Sequence, residues 1–297
     1  MKFTLRQLEV FLATARLENI SRASEALAMS QSAASDSLRE LENQFDVQLF
    51  DRVGKRLQLN ANGRELLPQA EELLTRATEL EQTLTTHQDS GTIKVGATLS
   101  IGNSLGVPLI GMFKQRFPAS RVDLKVANTE HISHMVAGFE LDVGLIEGEI
   151  NNPALEITEW LEDELVVFCH PGHPFAKQKA LNNEDLLQAH WVLRESGSGT
   201  RQTFDRAIHD LLPALKIELE LQQTEAIMQA VEAGMGLGCL SRLTVEPAFA
   251  RGALIPLATP GRDFRRFFYL IIHRQKYRSR AIDHWLELCQ EQFGTLP

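Results

Sequence analysis

Nothing in this sequence is long and apolar enough to cross a membrane, because no apolar run reaches the roughly 18 residues a span requires. The opening stretch MKFTLRQLEVFLATARLENIS has neither a long apolar core nor a small-residue cleavage site, and it carries Glu9 and Glu18. It therefore does not read as a secretory signal, and the chain is expected in the cytoplasm. Cysteine is scarce. Cys169, Cys239 and Cys289 lie far apart and form no CxxC or Cys/His cluster with zinc spacing, so they read as small buried hydrophobes and no metal site is expected. Catalytic signatures are missing as well. Ser196 and Ser198 do not sit in a G-x-S-x-G elbow, and Gly197-Ser198-Gly199 lacks the lysine of a phosphate-binding loop. Gly234-Met-Gly-Leu-Gly238 follows a helical pattern and precedes a strand, the reverse of a dinucleotide fingerprint. His131 and His134 are spaced like one solvated helix face. These absences predict a protein that is not an enzyme, has no catalytic residues and needs no cofactor.

Positive charge is also in deficit, with a net charge of −9, which at first disfavours a nucleic-acid partner. The distribution reverses that inference. Residues 1–60 balance eight Lys/Arg against eight Asp/Glu, so the excess acid lies downstream. Within that segment Arg52, Lys55 and Arg56 cluster, and a local basic cluster suffices for a DNA site on an acidic chain. With 297 residues, 43% of them hydrophobic, the chain has material for two domains.

Thr4 with Gln7 makes a T-x-x-Q capping box, a helix start, and Leu5, Leu8, Phe11, Leu12 and Ala15 recur at helical spacing. Ser21 is placed to cap a second helix carrying Ala23, Ala26 and Leu27, and Ser30 caps a third. In that third helix Ala33, Ala34, Leu38, Leu41 and Phe45 are expected inward. Gln31, Ser32, Ser35, Asp36 and Arg39 fall on the other faces. Two short helices around a tight turn, the second opening on small polar residues, make a helix-turn-helix. Small side chains let such a helix enter the major groove by its N-terminal end, where Gln and Ser can bond base edges or phosphates. A plain three-helix bundle with a polar surface would share these helices, but it would not carry a basic hairpin beside them. Val47–Asn60 reads as one, turning at Gly54, with Leu57 and Leu59 inward and Arg52, Lys55 and Arg56 about the tip. That is a wing suited to phosphate or minor-groove contact.

The stretches LRQLEVF, ISRASEALAMSQSAASDSLRELE and VQLFDR followed by LNANG resemble, without gaps over about 60 residues, the N-terminal signature of LysR-type transcriptional regulators. Asp36 departs from that pattern. The family often has a basic or amide residue there, whereas an acidic one can accept from cytosine N4. After Gly63 comes a Leu/Glu/Ala-rich segment. Leu66, Leu73 and Leu80 are seven apart, with Ala70, Ala77 and Leu84 each four further on, an a/d heptad. Pro68 falls in the early turns, where it costs least. About 25 residues would make a rigid spacer of about 38 Å, ending near Asp89-Ser-Gly91. A lone helix packed on its own domain would also fit, but the resemblance implies a dimerising linker helix, and a homotetramer through a second contact between C-terminal domains.

From Thr92 onward strands and helices alternate. Strands are expected at Thr92–Ala97, Val122–Val126, Asp142–Ile146, Leu165–Cys169, Trp191–Leu193, Glu218–Leu221, Gly238–Leu240 and Phe267–Ile272. Helices fall at Asn103–Phe117, through Met135 and Phe139, from Thr200, from Thr224 and from about Ser279. Such alternation implies α/β lobes with largely parallel sheets, and it resembles the periplasmic-binding-protein fold of LysR effector domains. The organisation expected is therefore α/β overall: a winged helix-turn-helix at 1–60, a linker helix at 61–90 and a two-lobed effector domain at 91–297. Lobe I would take 91–161 and 267–297, and lobe II 162–266.

Two strand-to-helix loops occupy equivalent places in the lobes, Thr98-Leu-Ser-Ile-Gly-Asn103 and Glu195-Ser-Gly-Ser-Gly-Thr200. Hydroxyls and glycines at helix starts suit an anion, although ordinary caps look the same. The effector site is expected at Thr98, Ser100, Ile101, Gly102, Asn103 and Thr129 of one lobe and Ser196, Ser198, Gly199 and Thr200 of the other. Glu147 and Glu195 would border it and disfavour highly charged ligands, with Arg201 the one cation well placed in the loops. TLSIGN, WLEDELVVF, RESGSGTR, TEAIMQAVEAGMGLGCLSR and HRQK resemble the YeiE-like branch of the family, which implies sulfite or a related sulfur oxyanion as effector, with a small carboxylate or amino acid as the alternative. The expected partners are double-stranded promoter DNA, further copies of the chain and RNA polymerase. A cytoplasmic solute-binding protein is the competing reading, and the wing speaks against it.

Overall fold

The computed structural model describes residues 2–54, 56–85 and 91–293. Three helices open the chain: α1 (Leu5–Leu17), α2 (Ile20–Ala26) and α3 (Gln31–Phe45). The capping box forms on α1: Thr4 Oγ1 accepts from Gln7 N at 3.2 Å and Gln7 Oε1 accepts from Thr4 N at 2.9 Å. The second cap differs from expectation. Asn19, not Ser21, caps α2, accepting from the Ser21 and Arg22 amides, because an Asx side chain reaches N2 and N3 from one residue before the helix. Ser30 caps α3 as expected, its Oγ accepting from Ala33 N at 3.2 Å. Leu8, Phe11, Leu12, Ala34, Leu38 and Leu41 close the core of this unit, whereas Ala33 and Phe45, expected inward, are exposed.

The wing is the hairpin β1 (Phe50–Val53) and β2 (Arg56–Leu59), paired Phe50 to Leu59 and Val53 to Arg56. Its tip requires a left-handed residue, and Gly54 takes φ +64° there without steric cost. Leu57 N donates to Glu18 O at the end of α1, which ties wing to helix. Then α4 runs from Ala61 to Thr85 with Pro68 inside it. It lays Leu66, Leu67, Ala70 and Leu74 against the first core and leaves Leu73 and Leu80 exposed. The side chain of the heptad's Leu84, and Asp89 and Ser90 of the expected helix end at Asp89-Ser-Gly91, lie outside the described residues.

The remainder forms two α/β lobes on one continuous sheet. The elements are β3 (Thr92–Ala97), α5 (Leu99–Ile101), α6 (Val107–Arg116), β4 (Arg121–Val126), α7 (Thr129–Ala137), β5 (Val143–Glu147) and β6 (Leu155–Cys169), then α8 (Asn183–Gln188), β7 (His190–Arg194) and α9 (Gly199–Ala207). The chain continues through β8 (Lys216–Leu221), α10 (Thr224–Glu232), β9 (Leu237–Ser241), α11 (Arg242–Ala250), β10 (Ile255–Leu257), β11 (Arg265–His273) and α12 (Arg280–Phe293). Strand order is β4-β3-β5-β11-β6-β9-β7-β8, with β10 also on β6. Pairing is parallel within each lobe's β3/β4/β5 and β7/β8/β9 sets, as expected, but β6 and β11 run antiparallel and fuse the two. The first half of β6 escaped the sequence pattern because Glu156, Glu159, Glu162 and Glu164 give it an exposed face, and between Leu155 and Trp160 no residue is buried. The helix expected at Asn103–Phe117 begins earlier, with a π-turn at Gly102–Gly106 joining α5 to α6. Pro108 cannot donate to the turn before it, and a π-turn accommodates that missing bond.

The three thiols are buried and free. Burial raises Cys169 to about 11 and Cys289 to about 12, and Cys239 upward too, so none is a reactive thiolate.

Candidate effector cleft and nucleic-acid interface

On the N-terminal unit, Gln31, Ser32, Asp36 and Arg39 stand exposed on the first turns of α3, and Ser35 is half-buried among them. Asp36 pairs with Arg39 at 3.4 Å, two exposed side chains whose attraction water largely screens. Arg52 and Arg56 are exposed on the two strands of the wing, Arg56 lying 3.7 Å from Glu18, and Lys55 lies outside the described residues. One positioning residue was not legible from sequence. Arg6 of α1 donates to Leu27 O at 2.7 Å and to Met29 Sδ at 3.8 Å, which pins the turn between α2 and α3. An exposed arginine on an amphipathic helix carries no local sign of that reach.

The two C-terminal lobes meet along a hydrogen-bonded seam. Thr129 Oγ1 donates to Glu147 O at 2.6 Å and accepts from Gly199 N at 3.2 Å. Thr200 Oγ1 donates to Glu147 Oε1, Asn128 Nδ2 to Glu195 Oε1, and Gln202 exchanges two bonds with the Glu149 backbone. Gly199 is obligatory at this approach, since a Cβ there would lie 1.8 Å from Glu147 O. Thr129, Glu147, Gly199 and Thr200, named from sequence as ligand contacts, are thus brought together and bond one another.

The remaining sequence-derived residues divide. Ser198 Oγ caps α9 on the Arg201 amide, and Ser196, Ser198, Gly199 and Thr129 line a rim cavity of about 510 Å³. Ile101 packs its side chain into the lobe I core, Gly102 abuts Val126, and Asn103 reaches across to Glu225 Oε1 at 3.0 Å. Thr98 and Ser100 are fully buried, and neither Thr98 Oγ1 nor Ser100 Oγ has a hydrogen-bond partner. A buried hydroxyl without a partner costs about 1–3 kcal/mol, and Thr98 and Ser100 each carry one.

The charges are arranged differently from expectation. Arg201 is committed to Asp205, Glu220 and the Arg194 carbonyl. Glu147 is no free acid: Arg266 on β11 bonds it at 3.0 Å, Asp163 at 2.7 Å and Thr200 Oγ1 at 3.1 Å. Burial raises the Asp163 carboxyl above its ordinary value, and Arg266 works against that rise. Arg194, at the end of β7, was not foreseen. Its Nε and Nη2 bond Glu195 at 2.8 and 3.1 Å, while buried Nη1 has no partner. A wider crevice of about 1300 Å³ opens beside β6 and β11, the strands that join the lobes and form their hinge, where the exposed arginines Arg206, Arg242 and Arg265 are paired with Glu149, Glu164 and Asp263.

A second polar cluster joins the N-terminal unit, α4 and lobe I. Lys276 Nζ lies 2.8 Å from Asp142 and 3.2 Å from Glu71, and Glu71 also holds Arg16 at 2.7 Å. Arg16 donates to Phe139 O as well.

Residues 5–64 match the family model described as "Bacterial regulatory helix-turn-helix protein, lysR family", and residues 86–294 match "LysR substrate binding domain". The chain is 41% identical to the Escherichia coli K12 protein called "Uncharacterized HTH-type transcriptional regulator YeiE", over 97% of this chain and 98% of that one. It is 34% identical to a "Probable RuBisCO transcriptional regulator" of Trichormus variabilis, over 99% and 90%. Among solved structures, a full-length OxyR variant from Pseudomonas aeruginosa superposes with a TM-score of 0.73 at 21% identity, covering 98% of this chain and 95% of that one. The regulatory domain of Synechocystis PCC6803 CcmR in complex with 2-PG superposes with a TM-score of 0.65 at 27% identity, covering 70% and 100%.

Proposed function

The chain belongs to the LysR family of DNA-binding transcriptional regulators, and from that premise we propose that its promoter binding or activation is set by a small anionic effector held between the two C-terminal lobes. The observation that carries this is the pair of buried, unpartnered hydroxyls, Thr98 Oγ1 and Ser100 Oγ, at the start of the helical run that follows β3. A hydroxyl can both donate and accept, and towards an oxyanion it donates its proton. Sulfite or another sulfur oxyanion is the first candidate, on the resemblance to the YeiE-like branch, and a small carboxylate or amino acid is the second. The 2-PG held by the CcmR regulatory domain supports a small-molecule ligand in this class of domain. Because several seam bonds cross between lobes, an effector touching both would shift their relative angle and thereby how the DNA-binding units are presented.

The regulator acts as a homodimer through α4, and as a tetramer through its effector domains, in the cytoplasm, with RNA polymerase as its further partner at the promoter. Support for the first pairing comes from α4 itself. It exposes Leu73 and Leu80, and an apolar groove of about 630 Å³ beside it is lined by Phe3, Leu41, Phe45, Val47, Leu66 and Leu73. Calorimetry with sulfite on the wild type, Thr98→Val and Ser100→Ala tests the effector reading. Each substitution should weaken binding about tenfold, the effect of one lost hydrogen bond to a charged ligand. Binding as tight as the wild type in both would place the sensor elsewhere.

A further inference from the structure

We infer that Arg194 supplies the counter-charge for the effector, and that its pairing with Glu195 confines the cleft to compact oxyanions of a single negative charge. This rests on the cleft reading above and adds to it the residue that selects by charge.

The residue lies at the end of β7 and is 1% exposed, its strand neighbours Trp191, Val192 and Leu193 all belonging to apolar cores. A guanidinium cannot shed its proton there, so each of its N–H groups needs an acceptor. Two nitrogens have one in Glu195, and Nη1 does not. Of the two other arginines of the seam, Arg266 bonds Asp163, Thr200 and Glu147 through all three nitrogens, and Arg201 gives Nε to Asp205 and Nη1 to Glu220 and the Arg194 carbonyl. Among these seam arginines, Arg194 alone retains a buried donor to offer.

Its place relative to the orphan hydroxyls follows from the hydrogen bonds. Ala127 N donates to Ala97 O, and the parallel register of β3 with β4 carried one residue further sets Ala127 opposite Thr98, with Asn128 the next residue along. Asn128 Nδ2 then donates across the seam to Glu195 Oε1 at 3.2 Å, and Glu195 holds Arg194. Thr98 from one lobe and Arg194 from the other therefore flank the same short bridge. An oxyanion meeting Nη1 with one oxygen and the hydroxyls with others would satisfy all three orphans at once.

The charge class follows from Glu195. Arg194 and Glu195 together are neutral, so with them a bound monoanion leaves one net negative charge and a dianion two, and Glu225, held across the seam by Asn103, brings a further carboxylate in either case. The single free nitrogen also rules out the two-pronged grip by which arginine takes phosphate groups. Hydrogen sulfite, formate or acetate suits such a site, and sulfate or a phosphate ester does not.

The test is calorimetry on the full chain with sulfite, formate, acetate, sulfate and 2-phosphoglycolate, for the wild type, Arg194→Gln, Arg194→Lys, Glu195→Gln and Ser100→Ala. Circular dichroism and sedimentation confirm that each is folded. The wild type should bind the monoanions more tightly than sulfate or the phosphate ester. Arg194→Gln should weaken monoanion binding at least tenfold and Arg194→Lys restore part of it. Glu195→Gln should tighten binding severalfold and narrow the gap to sulfate, a gain that no purely structural role for the pair produces. If Ser100→Ala weakens binding and Arg194→Gln does not, the role of Arg194 is overturned and the cleft reading stands. If none of the anions binds, or all variants bind like the wild type, both fall. Tighter binding of sulfate than of formate by the wild type overturns the charge class. Should Arg194→Gln fail to fold, Glu195→Gln decides, and affinity unchanged or lowered there overturns the inference.

Discussion

Replacing Lys276 by methionine removes one charge from the cluster that joins all three parts of the chain, and the geometry fixes what that should cost. The Lys276 side chain is 2% exposed, with carboxylate oxygens of Asp142 and Glu71 at 2.8 and 3.2 Å. Methionine fills nearly the same volume, so the change is electrostatic rather than a cavity. Removing one member of a buried pair typically costs about 3–5 kcal/mol, because the partner is left charged and unpaired. Here the abandoned carboxylates keep something. Glu71 retains Arg16 at 2.7 Å, and Asp142 still accepts from the Lys94 amide at 2.7 Å. The expected loss is accordingly about 2–3 kcal/mol, which for a chain of this size is a fall in Tm of about 3–5 °C. Arg116→Met is the control. Its partner Glu291 lies at 2.6 Å, but both side chains are about half exposed, and such a pair is worth about 0–1 kcal/mol. Differential scanning calorimetry of the full chain compares the two. A Lys276→Met midpoint indistinguishable from the wild type, or an equal fall in Arg116→Met, would refute the claim that this cluster fastens the domains together.

Arg52→Ala should weaken binding to all DNA sequences alike and reduce the slope of log affinity against log salt by about 1, as loss of one phosphate contact does; Gln31→Ala should instead change sequence preference in a footprint, and unchanged affinity in both would move the interface off α3 and the wing. Leu73→Glu with Leu80→Glu would bury like charges at the α4 seam, so sedimentation should show the pair dissociating, and a wild-type mass would assign the dimer to another surface. Burial, with Lys276 nearby, holds the His273 imidazole below its ordinary 6.5. The unfolded chain then binds the extra proton more readily, so stability falls as pH drops below about 6.5 and is intact above it; in His273→Gln the fall in Tm between about pH 7.5 and 5.5 should shrink, and an unchanged fall assigns the acid sensitivity to other groups. Gly199→Ala should force the lobes apart at Glu147 O, lowering effector affinity in calorimetry at least tenfold, and retained affinity would show that the seam gives way.

The parts of this molecule that sequence discloses are those governed by local chemistry. The capping box at Thr4, the Ser30 cap, the glycine turn of the wing and the alternation from Thr92 onward each depend on residues within a turn of one another. The strand that sequence reading missed, the first half of β6, is held by pairing with β11 more than a hundred residues away, and its glutamates mask the pattern. The same division runs through the cleft. Loops rich in Ser, Thr and Gly announced Thr98, Ser100, Thr129 and Gly199, because hydroxyls and glycines at helix starts have a local meaning. Which of them would face one another had none, and the structure pairs Thr129 with Gly199 while leaving Thr98 and Ser100 unpartnered. The arginines were misjudged for a similar reason. Arg201 sits in the conspicuous loop yet is consumed by Asp205 and Glu220, whereas Arg194 and Arg266 are strand residues whose burial only the assembled sheet creates.

Two strands connect the hinge cluster to the docking cluster. β5 ends at Glu147, in the charged group at the hinge, and Asp142 stands immediately before it in the group that docks on α4. β11 carries Arg266 at the hinge, and Lys276 follows it by three residues past His273. The hinge group and the docking group are therefore joined by the same two paired strands, Phe268 to Glu147 and Ile271 to Gly144. A strand rises about 3.3 Å per residue and resists bending while its ladder is intact, so β5 and β11 behave as a stiff pair between the two clusters. A change in lobe angle that displaces Glu147 against Arg266 must then be taken up at one of two places: in the seam, by breaking Thr200 to Glu147, or at the far end, by loading Lys276 against Glu71. The second is the costlier bond to break, because Lys276 is a fully buried cation shared between two carboxylates, whereas the first joins a neutral hydroxyl to a carboxylate that Arg266 still holds. Of the two restraints the Thr200 to Glu147 bond is accordingly the weaker, and the Lys276 cluster is the firmer hold of lobe I on α4.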